Sequence, residues 1–130
     1  MYDFQLEPIG NLKSTEHIDH QAAHCLADEI RHAGFWTAPV PVESLNGYVM
    51  DGNHRLQAAR ILGLERIPVV KLDYQDARVS VSRWLDGTPF CLNELIGILA
   101  SNKLLPYKTT KHTFTPELPT IKVPLGSLRK

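Results

Sequence analysis

Several features that define whole classes of protein are scarce or missing in this sequence of 130 residues. There are only two cysteines, Cys25 and Cys91, and they form no CxxC pair, which argues against a disulfide framework or a zinc ribbon. Two isolated thiols suit a reducing cytoplasm. No apolar run approaches the roughly 18 residues of a membrane span, and the N-terminus lacks a charged segment followed by an apolar one. We therefore expect a cytoplasmic protein without a membrane partner.

A surplus of charge is also missing. Fourteen basic residues balance fourteen acidic ones, so the formal net charge is zero. Nucleic-acid binding usually draws on an excess of Lys and Arg, and the balance therefore disfavours nucleic acid as the main partner, although it leaves room for a local basic patch. The length and the apolar fraction of 43% suit one globular domain with a modest core.

Strand and helix patterns alternate along the chain, which predicts an α/β (α+β) fold with a small mixed β-sheet packed by helices. Apolar residues at helical spacing predict three helices, at residues 19–33, 54–62 and 92–101. Short apolar or Pro-containing runs predict strands at residues 4–9, 39–43, 48–50 and 67–72, a less defined element at 78–83, and an extended tail with a last strand near 121–123.

The turn at residues 51–55 carries the clearest chemical signal. A strand ends there and a helix begins, and Gly52 lies at the bend between them. A helix start offers unpaired N–H groups and the positive end of the helix dipole, and glycine lets the backbone approach an anion closely. Arg55 can bind phosphate oxygens, His54 can donate a hydrogen bond or shuttle a proton, and Asp51 can hold magnesium. The alternative is a capped helix in which Asp51 and Arg55 merely pair.

Residues 49–70, which read VMDGNHRLQAARILGLERIPVV, resemble the signature of the ParB/sulfiredoxin superfamily. That signature is a strand, a G-x-[HR]-R turn, a helix and a strand with the sequence IPV. The resemblance implies the superfamily's fold and extends over about the first 75 residues. We expect a single domain over residues 1–130, with a nucleotide-binding part at about 1–75 and a substrate-side helix and tail at about 76–130.

Three branches of the superfamily compete. Sulfiredoxins use a catalytic cysteine where this chain has Asn53, so their chemistry is set aside. ParB partition proteins typically carry an Arg-Arg pair where this chain has His54-Arg55. The free L-serine kinases resemble it at two separate places, because their D-G-[HN]-H-R turn matches residues 51–55 and their P-x-K-T-T-R-H run matches residues 106–112. Lys111 replaces the arginine of that run, and it keeps the charge but loses the planar fork.

The serine-kinase resemblance implies a set of roles. The donor would be ATP or ADP with Mg²⁺ near Asp51, and the acceptor would be L-serine or a similar hydroxy amino acid. Glu16 would be the general base, while Asp51 and His54 would assist catalysis. The donor phosphates would lie against Gly52, Asn53, His54 and Arg55. The substrate would be held by Trp84, Lys108, Thr109, Thr110, Lys111 and His112.

Plainer interpretations stay open. Glu16 precedes a helix, where acids are common, and Trp84 is of a type that is more often core than ligand platform. His20 and His24 have the i, i+4 spacing of a metal pair, but the segment is HQAAH and no third ligand is evident. Serine kinases are also longer between the two signatures, so a homodimer could be needed to complete the pocket. A ParB-like nucleotide-binding regulator and a catalytically silent binding domain therefore remain as alternatives to the kinase.

Overall fold

The computed structural model describes residues 2–129. Its three α-helices are α1 (His20–Ala33), α2 (Asn53–Ile61) and α3 (Leu92–Ala100). The strands are β1 (Gln5–Pro8), β2 (Phe35–Trp36), β3 (Val40–Glu43), β4 (Arg66–Leu72), β5 (Val79–Arg83), β6 (Thr110–Phe114) and β7 (Val123–Pro124). Short 3₁₀ helices follow β1 and β7, at Ile9–Asn11 and Leu125–Leu128. Within the described chain, no helix is both long and apolar enough to cross a membrane.

The main sheet is mixed and has the strand order β1-β4-β3. Strand β1 pairs antiparallel with β4, whereas β3 pairs parallel with it. The predicted mixed α/β architecture is confirmed, and the Pro-containing strand β3 lies at a sheet edge as its prolines require. The remaining strands form two separate antiparallel pairs, β2 with β7 and β5 with β6. The sheet structure is therefore divided into three small sheets.

Strand β4 separates two apolar cores. Ile67 and Val69 point to one face and belong to the core that also contains Trp36 and helices α1 and α2. Val70 and Leu72 point to the other face, where they pack in the core that contains α3. This follows from the two-residue period of a strand, which sends successive side chains to opposite faces. The fold is thus layered, with α1 and α2 on one side of the main sheet and α3 on the other.

The predicted helices are present with small shifts of their ends. The Asp19 side chain caps α1 by accepting a hydrogen bond from the Ala22 N–H, and Gly34 ends the helix with a left-handed backbone at φ 79°. Helix α2 begins at Asn53, one residue before the predicted start. The expected strand at residues 48–50 is wrong, because Tyr48 and Val49 form only isolated bridges, to Lys13 and Val42.

Strand β6 was not predicted, and its residues were assigned to an extended tail. It forms because Val79–Arg83 pairs with Thr110–Phe114 across 27 to 35 positions of sequence, in a register that places Val81 opposite His112. The expected element at residues 78–83 is confirmed as β5. This pairing brings the second signature, residues 106–112, close to the first, residues 51–55. The last strand is Val123–Pro124, slightly later than expected.

Candidate active site

One cleft of about 370 Å³ brings the two signatures together. The first signature contributes residues 51–55, which flank the start of α2, and Glu16 faces the same cleft from the segment before α1. The second contributes Lys108 and residues 110–112 from the beginning of β6, and Trp84 lies beside them. These are nearly all the residues that the sequence assigned to the site, and they face a single cavity within one chain.

The start of α2 has the features that suit an anion. Its N-cap, Gly52, has a φ of 111°, and no side chain caps the helix. The first backbone N–H groups of an α-helix have no partner within the helix, and they add to the positive end of the dipole. A β-carbon at Gly52 would lie 3.4 Å from both methyl carbons of Val40, so glycine suits this bend for space as well as for conformation. The helix start therefore presents N–H donors to the cleft.

Asp51 and Arg55 flank this helix start and do not pair with each other. Among the described residues, neither side chain makes a hydrogen bond or a salt bridge, and both line the cleft. Asp51 is exposed and Arg55 is half-buried. The simple alternative for this turn, a capped helix stabilised by an Asp–Arg pair, is therefore not what the structure shows. Both charges are available to a ligand.

The side chain of Asn53 is held by hydrogen bonds to Thr15. Its side-chain oxygen accepts a hydrogen bond of 2.8 Å from the Thr15 N–H, and its amide nitrogen donates to Thr15 Oγ1 at 3.2 Å. Thr15 is buried and donates in turn to the Val49 carbonyl at 2.7 Å. The Asn53 amide thus ties the segment that carries Glu16 to the helix start. Its backbone N–H, at the first position of α2, is the part that can meet a phosphate.

Glu16 is held by the second signature. Its Oε1 accepts from the Lys108 N–H at 3.1 Å, and its Oε2 accepts from the N–H and the hydroxyl of Thr110 at 3.0 and 2.7 Å. The backbone on either side of Glu16 also pairs with Leu105, through bonds of 2.8 and 2.9 Å. Glu16 is half-buried and lines the cleft. A carboxylate and the uncapped start of α2 therefore face the same space.

His54 links the starts of the first two helices. Its Nε2 accepts a hydrogen bond of 3.0 Å from the Asp19 N–H, and its ring meets the Tyr107 ring edge-on at 5.3 Å. A neutral imidazole that accepts at Nε2 carries its proton on Nδ1. His54 can therefore donate a hydrogen bond from Nδ1, while Nε2 is engaged by the protein.

Trp84 and two lysines form the rim of the cleft on the β6 side. Trp84 is 45% exposed, so it is not a core residue. The Nζ atoms of Lys108 and Lys111 lie 5.4 and 5.1 Å from the centre of its ring. Both ammonium groups are thus kept close to one aromatic face, which is a favourable arrangement for cations. Thr109 does not line the cleft, and its hydroxyl donates to the Pro106 carbonyl at 2.6 Å.

His112 lies deeper in the cleft wall and is neutral. Its Nε2 is 3.0 Å from the Tyr74 hydroxyl, and its ring stacks on Phe114. Burial lowers the pKa of His112 to about 4. Burial, together with the charges of Glu43 and Glu16, raises the pKa of Tyr74 above its usual range, so its hydroxyl stays protonated. The neutral Tyr74 and His112 side chains thus form a hydrogen-bonded pair behind the cleft wall made by β6.

Sequence reasoning missed several residues that line or support the cleft. His17, Met50 and Tyr107 line it, and Tyr74 supports His112 from behind. Tyr107 lies inside the second signature, between Pro106 and Lys108, but it occupies a variable position of that pattern. For His17 and Tyr74 no local signal was available. His20 and His24 are exposed, and no group of three potential metal ligands exists among residues 2–129.

Comparison with known proteins finds similar sequences among L-serine kinases and ParB-like proteins. No family model matches the chain. It is 31% identical over 75 residues to the ATP-dependent L-serine kinase of Staphylothermus marinus, a match that spans 55% of this chain and 30% of that protein. It is also 38% identical over 47 residues to a ParB-like protein of Sulfolobus acidocaldarius, a match that spans 36% of this chain and 24% of that protein. These matches span less than a third of the length of either curated relative.

The structural likeness extends over nearly the whole chain. A free serine kinase solved in complex with AMP superposes with a TM-score of 0.86 at 14% identity, covering 98% of this chain and 94% of that one. At this level of identity the likeness establishes the fold. This chain therefore has the fold of the free serine kinase, and it is similar in sequence both to ATP-dependent L-serine kinases and to a ParB-like protein.

Proposed function

We propose that this protein is a small-molecule kinase that transfers a phosphoryl group from ATP or ADP to the hydroxyl of free L-serine or a close relative. The observation that carries this proposal is the position of Glu16, whose carboxylate lines the same cleft as the uncapped start of α2. Phosphoryl transfer requires a positioned donor, neutralisation of its charge and a group that orients the attacking hydroxyl. The cleft has protein groups suited to each of these requirements.

The donor phosphates would bind at the start of α2. The N–H groups of Asn53, His54 and Arg55 open the helix without a side-chain cap, and the unpaired Arg55 guanidinium adds a charge-assisted contact. His54 would add a donor at Nδ1, because its Nε2 is already engaged by the Asp19 N–H. Anions bind well where backbone donors, a helix dipole and a guanidinium converge.

A magnesium ion fits the remaining group at this end of the cleft. Mg²⁺ is usually held by one or two carboxylates together with substrate phosphates and water, rather than by a cage of protein ligands. Asp51 supplies one exposed carboxylate with no partner among the described residues, beside the proposed phosphate site. When bound, the ion would neutralise charge on the phosphates.

The acceptor would lie between the phosphates and Glu16. In the reaction, the serine hydroxyl oxygen forms a bond to the terminal phosphorus, the bond from that phosphorus to its bridging oxygen breaks, and the hydroxyl proton passes to Glu16. Lys108 and Lys111, at the rim beside Trp84, would attract the serine carboxylate. His112 would shape the inner wall as a neutral group.

The same geometry supports the organisation expected from the sequence. The first part of the chain supplies the phosphate side and residues from 76 onward supply the substrate side, within one domain. The groups assigned to the proposed site all lie in one cleft of this chain, and a homodimer that adds further groups stays a prediction. Cys25 and Cys91 are free and exposed, which fits a reducing cytoplasm.

The test is product formation by the purified protein. It would be incubated with Mg²⁺ and L-serine, with ATP and ADP in separate reactions, and the products separated and identified by mass spectrometry. We expect O-phosphoserine together with ADP or AMP, and no phosphorylated product when L-alanine replaces L-serine. Nucleotide binding without any phosphorylated hydroxy amino acid would contradict the kinase and favour a ParB-like nucleotide-binding protein.

A further inference from the structure

The carboxylate of Glu16 is fixed by three donors that come from one short segment. Lys108 donates its N–H to Oε1, and Thr110 donates both its N–H and its hydroxyl to Oε2. All three distances lie between 2.7 and 3.1 Å, within the ordinary range for hydrogen bonds. The side chain therefore has a defined orientation before any substrate arrives.

The two oxygens of Glu16 are not equivalent. A carboxylate oxygen offers about two lone-pair positions, or about four for the whole group. Thr110 fills both positions on Oε2, whereas Lys108 fills one on Oε1. One acceptor position remains, and it is on Oε1.

The backbone of the segment is shaped for this contact. Lys108 has a φ of 57°, in the left-handed region that side chains other than glycine rarely adopt. Such conformations persist where the surrounding structure holds them, and they are common at functional sites. Here the turn is closed by the Thr109 hydroxyl, which donates to the Pro106 carbonyl, and it directs the N–H groups of Lys108 and Thr110 to the same carboxylate.

We propose that Thr110 is a positioning residue that orients Glu16 so that Oε1 receives the proton of the acceptor hydroxyl. This inference rests on the proposed kinase function. It replaces the role that the sequence resemblance implied for Thr110, which was direct contact with the substrate. Thr110 is only 8% exposed and its hydroxyl donates to Glu16 at 2.7 Å, so its polar atoms serve the base.

The test compares a substitution that removes the Thr110 hydroxyl with one that keeps it. Thr110→Val removes the hydroxyl and keeps the branched shape that suits a strand, whereas Thr110→Ser keeps the hydroxyl. The matched control is Thr113→Val, on the exposed side of the same strand. We expect Thr110→Val to lower kcat about tenfold or more. A general base raises the rate roughly 10²- to 10⁴-fold, and a Glu16 carboxylate out of position would supply only part of that increase. The KM for serine and the Kd for nucleotide should stay within about twofold of wild type, and Thr110→Ser should restore most of kcat.

A combined variant separates positioning from general loss of structure. If Thr110 acts through Glu16, Thr110→Val should cost little further activity in a Glu16→Gln background, because the two changes remove the same contribution. Thermal unfolding of each variant would verify folding, and Thr110→Ala replaces the valine variant if that one does not fold.

The outcomes distinguish this inference from the proposed function. A wild-type protein that binds nucleotide but makes no phosphorylated product overturns the kinase, and this inference with it. An active wild type whose Thr110→Val variant keeps its kcat overturns the inference alone. An active wild type whose variant mainly raises the KM for serine also overturns it, because that result makes Thr110 a substrate ligand.

Discussion

The two walls of the cleft differ in how fully the protein satisfies its own polar groups. On the phosphate wall, residues 51–55, the helix start has no side-chain cap and the charges of Asp51 and Arg55 have no partner among the described residues. On the acceptor wall, formed by Glu16 and residues 108–112, hydrogen bonds within the protein hold Glu16, Thr110 and Nε2 of His112, whereas the buried Nδ1 of His112 lacks a hydrogen-bond partner among the described residues.

This difference indicates that the two walls have different roles. Unsatisfied donors and charges are tolerated on the phosphate wall because they face solvent, and a charged ligand can satisfy them. The acceptor wall is prearranged, so a reacting group finds Glu16 already oriented. Changes on the first wall should therefore alter ligand binding, whereas changes on the second should alter stability or turnover. Three predictions test that distinction.

The largest expected effect is the response of the acceptor wall to acid. Burial lowers the pKa of His112 to about 4, against 6.5 for an exposed histidine. Between these two pH values, His112 is therefore protonated in the unfolded chain and neutral in the folded chain. Stability should thus be greatest above pH 6.5 and fall as the pH drops toward 4. Each unit between the two pKa values costs about 1.4 kcal/mol, which gives a loss of about 2 kcal/mol by pH 5 and about 3 kcal/mol by pH 4.

Urea unfolding from pH 7 to pH 4.5 would measure this loss. His112→Gln is the control, since it removes the titrating group and should flatten the profile by the same amount. An unchanged profile in the variant would show that other groups cause the acid sensitivity. Because the effect arises inside the acceptor wall, it should appear without nucleotide.

Arg55→Ala should have the next largest effect, and on binding. Loss of a charge-assisted hydrogen bond costs about 1.5–3 kcal/mol, which corresponds to roughly 10- to 100-fold in the Kd for ATP or ADP. Arg60→Ala is the control, at the far end of the same helix, where Arg60 bonds to Gln57 and Ser14. Isothermal titration calorimetry would compare the two variants. Equal losses of nucleotide affinity in the two variants would show that the start of α2 contributes no more to binding than its far end.

Gly52→Ala should give the smallest of the three effects. Forcing a side chain into the left-handed region costs about 1–2 kcal/mol of stability, and the new methyl would lie beside the helix start, where it should also weaken nucleotide binding. Gly97→Ala is the contrasting substitution, because Gly97 lies inside α3 with nothing near its missing β-carbon, and it should stabilise the protein by about 0.5–1 kcal/mol. Denaturant unfolding would measure both, and a neutral Gly52→Ala would contradict the account of this turn.

The sequence predicted the phosphate wall better than the acceptor wall, for a physical reason. The turn at residues 51–55 is local, since a glycine and a helix start lie within a few positions and follow from short-range patterns, although the strand expected just before them is only two isolated bridges. Helices α1 and α3 were predicted for the same reason, from apolar spacing within single segments. The proposed roles of these residues remain predictions.

The acceptor wall depends on partners that are distant in the sequence. Glu16 meets Thr110 across 94 positions and His112 meets Tyr74 across 38. Strand β6 exists because β5 pairs with it, and no local pattern predicted it. The hydrogen bonds between the Asn53 side chain and Thr15 were missed for the same reason, and the phosphate role assigned to Asn53 stays a prediction.

The central claim is that this cleft transfers a phosphoryl group to a hydroxyl oriented by Glu16. Phosphorus NMR of wild type and Glu16→Gln, each with Mg²⁺, L-serine and ATP or ADP, tests it most directly. We predict an O-phosphoserine signal that grows with wild type and is lost or slowed about 10²- to 10⁴-fold in the variant, with nucleotide affinity retained. Equal rates of product formation by both proteins, or no product from wild type with bound nucleotide, would contradict the claim.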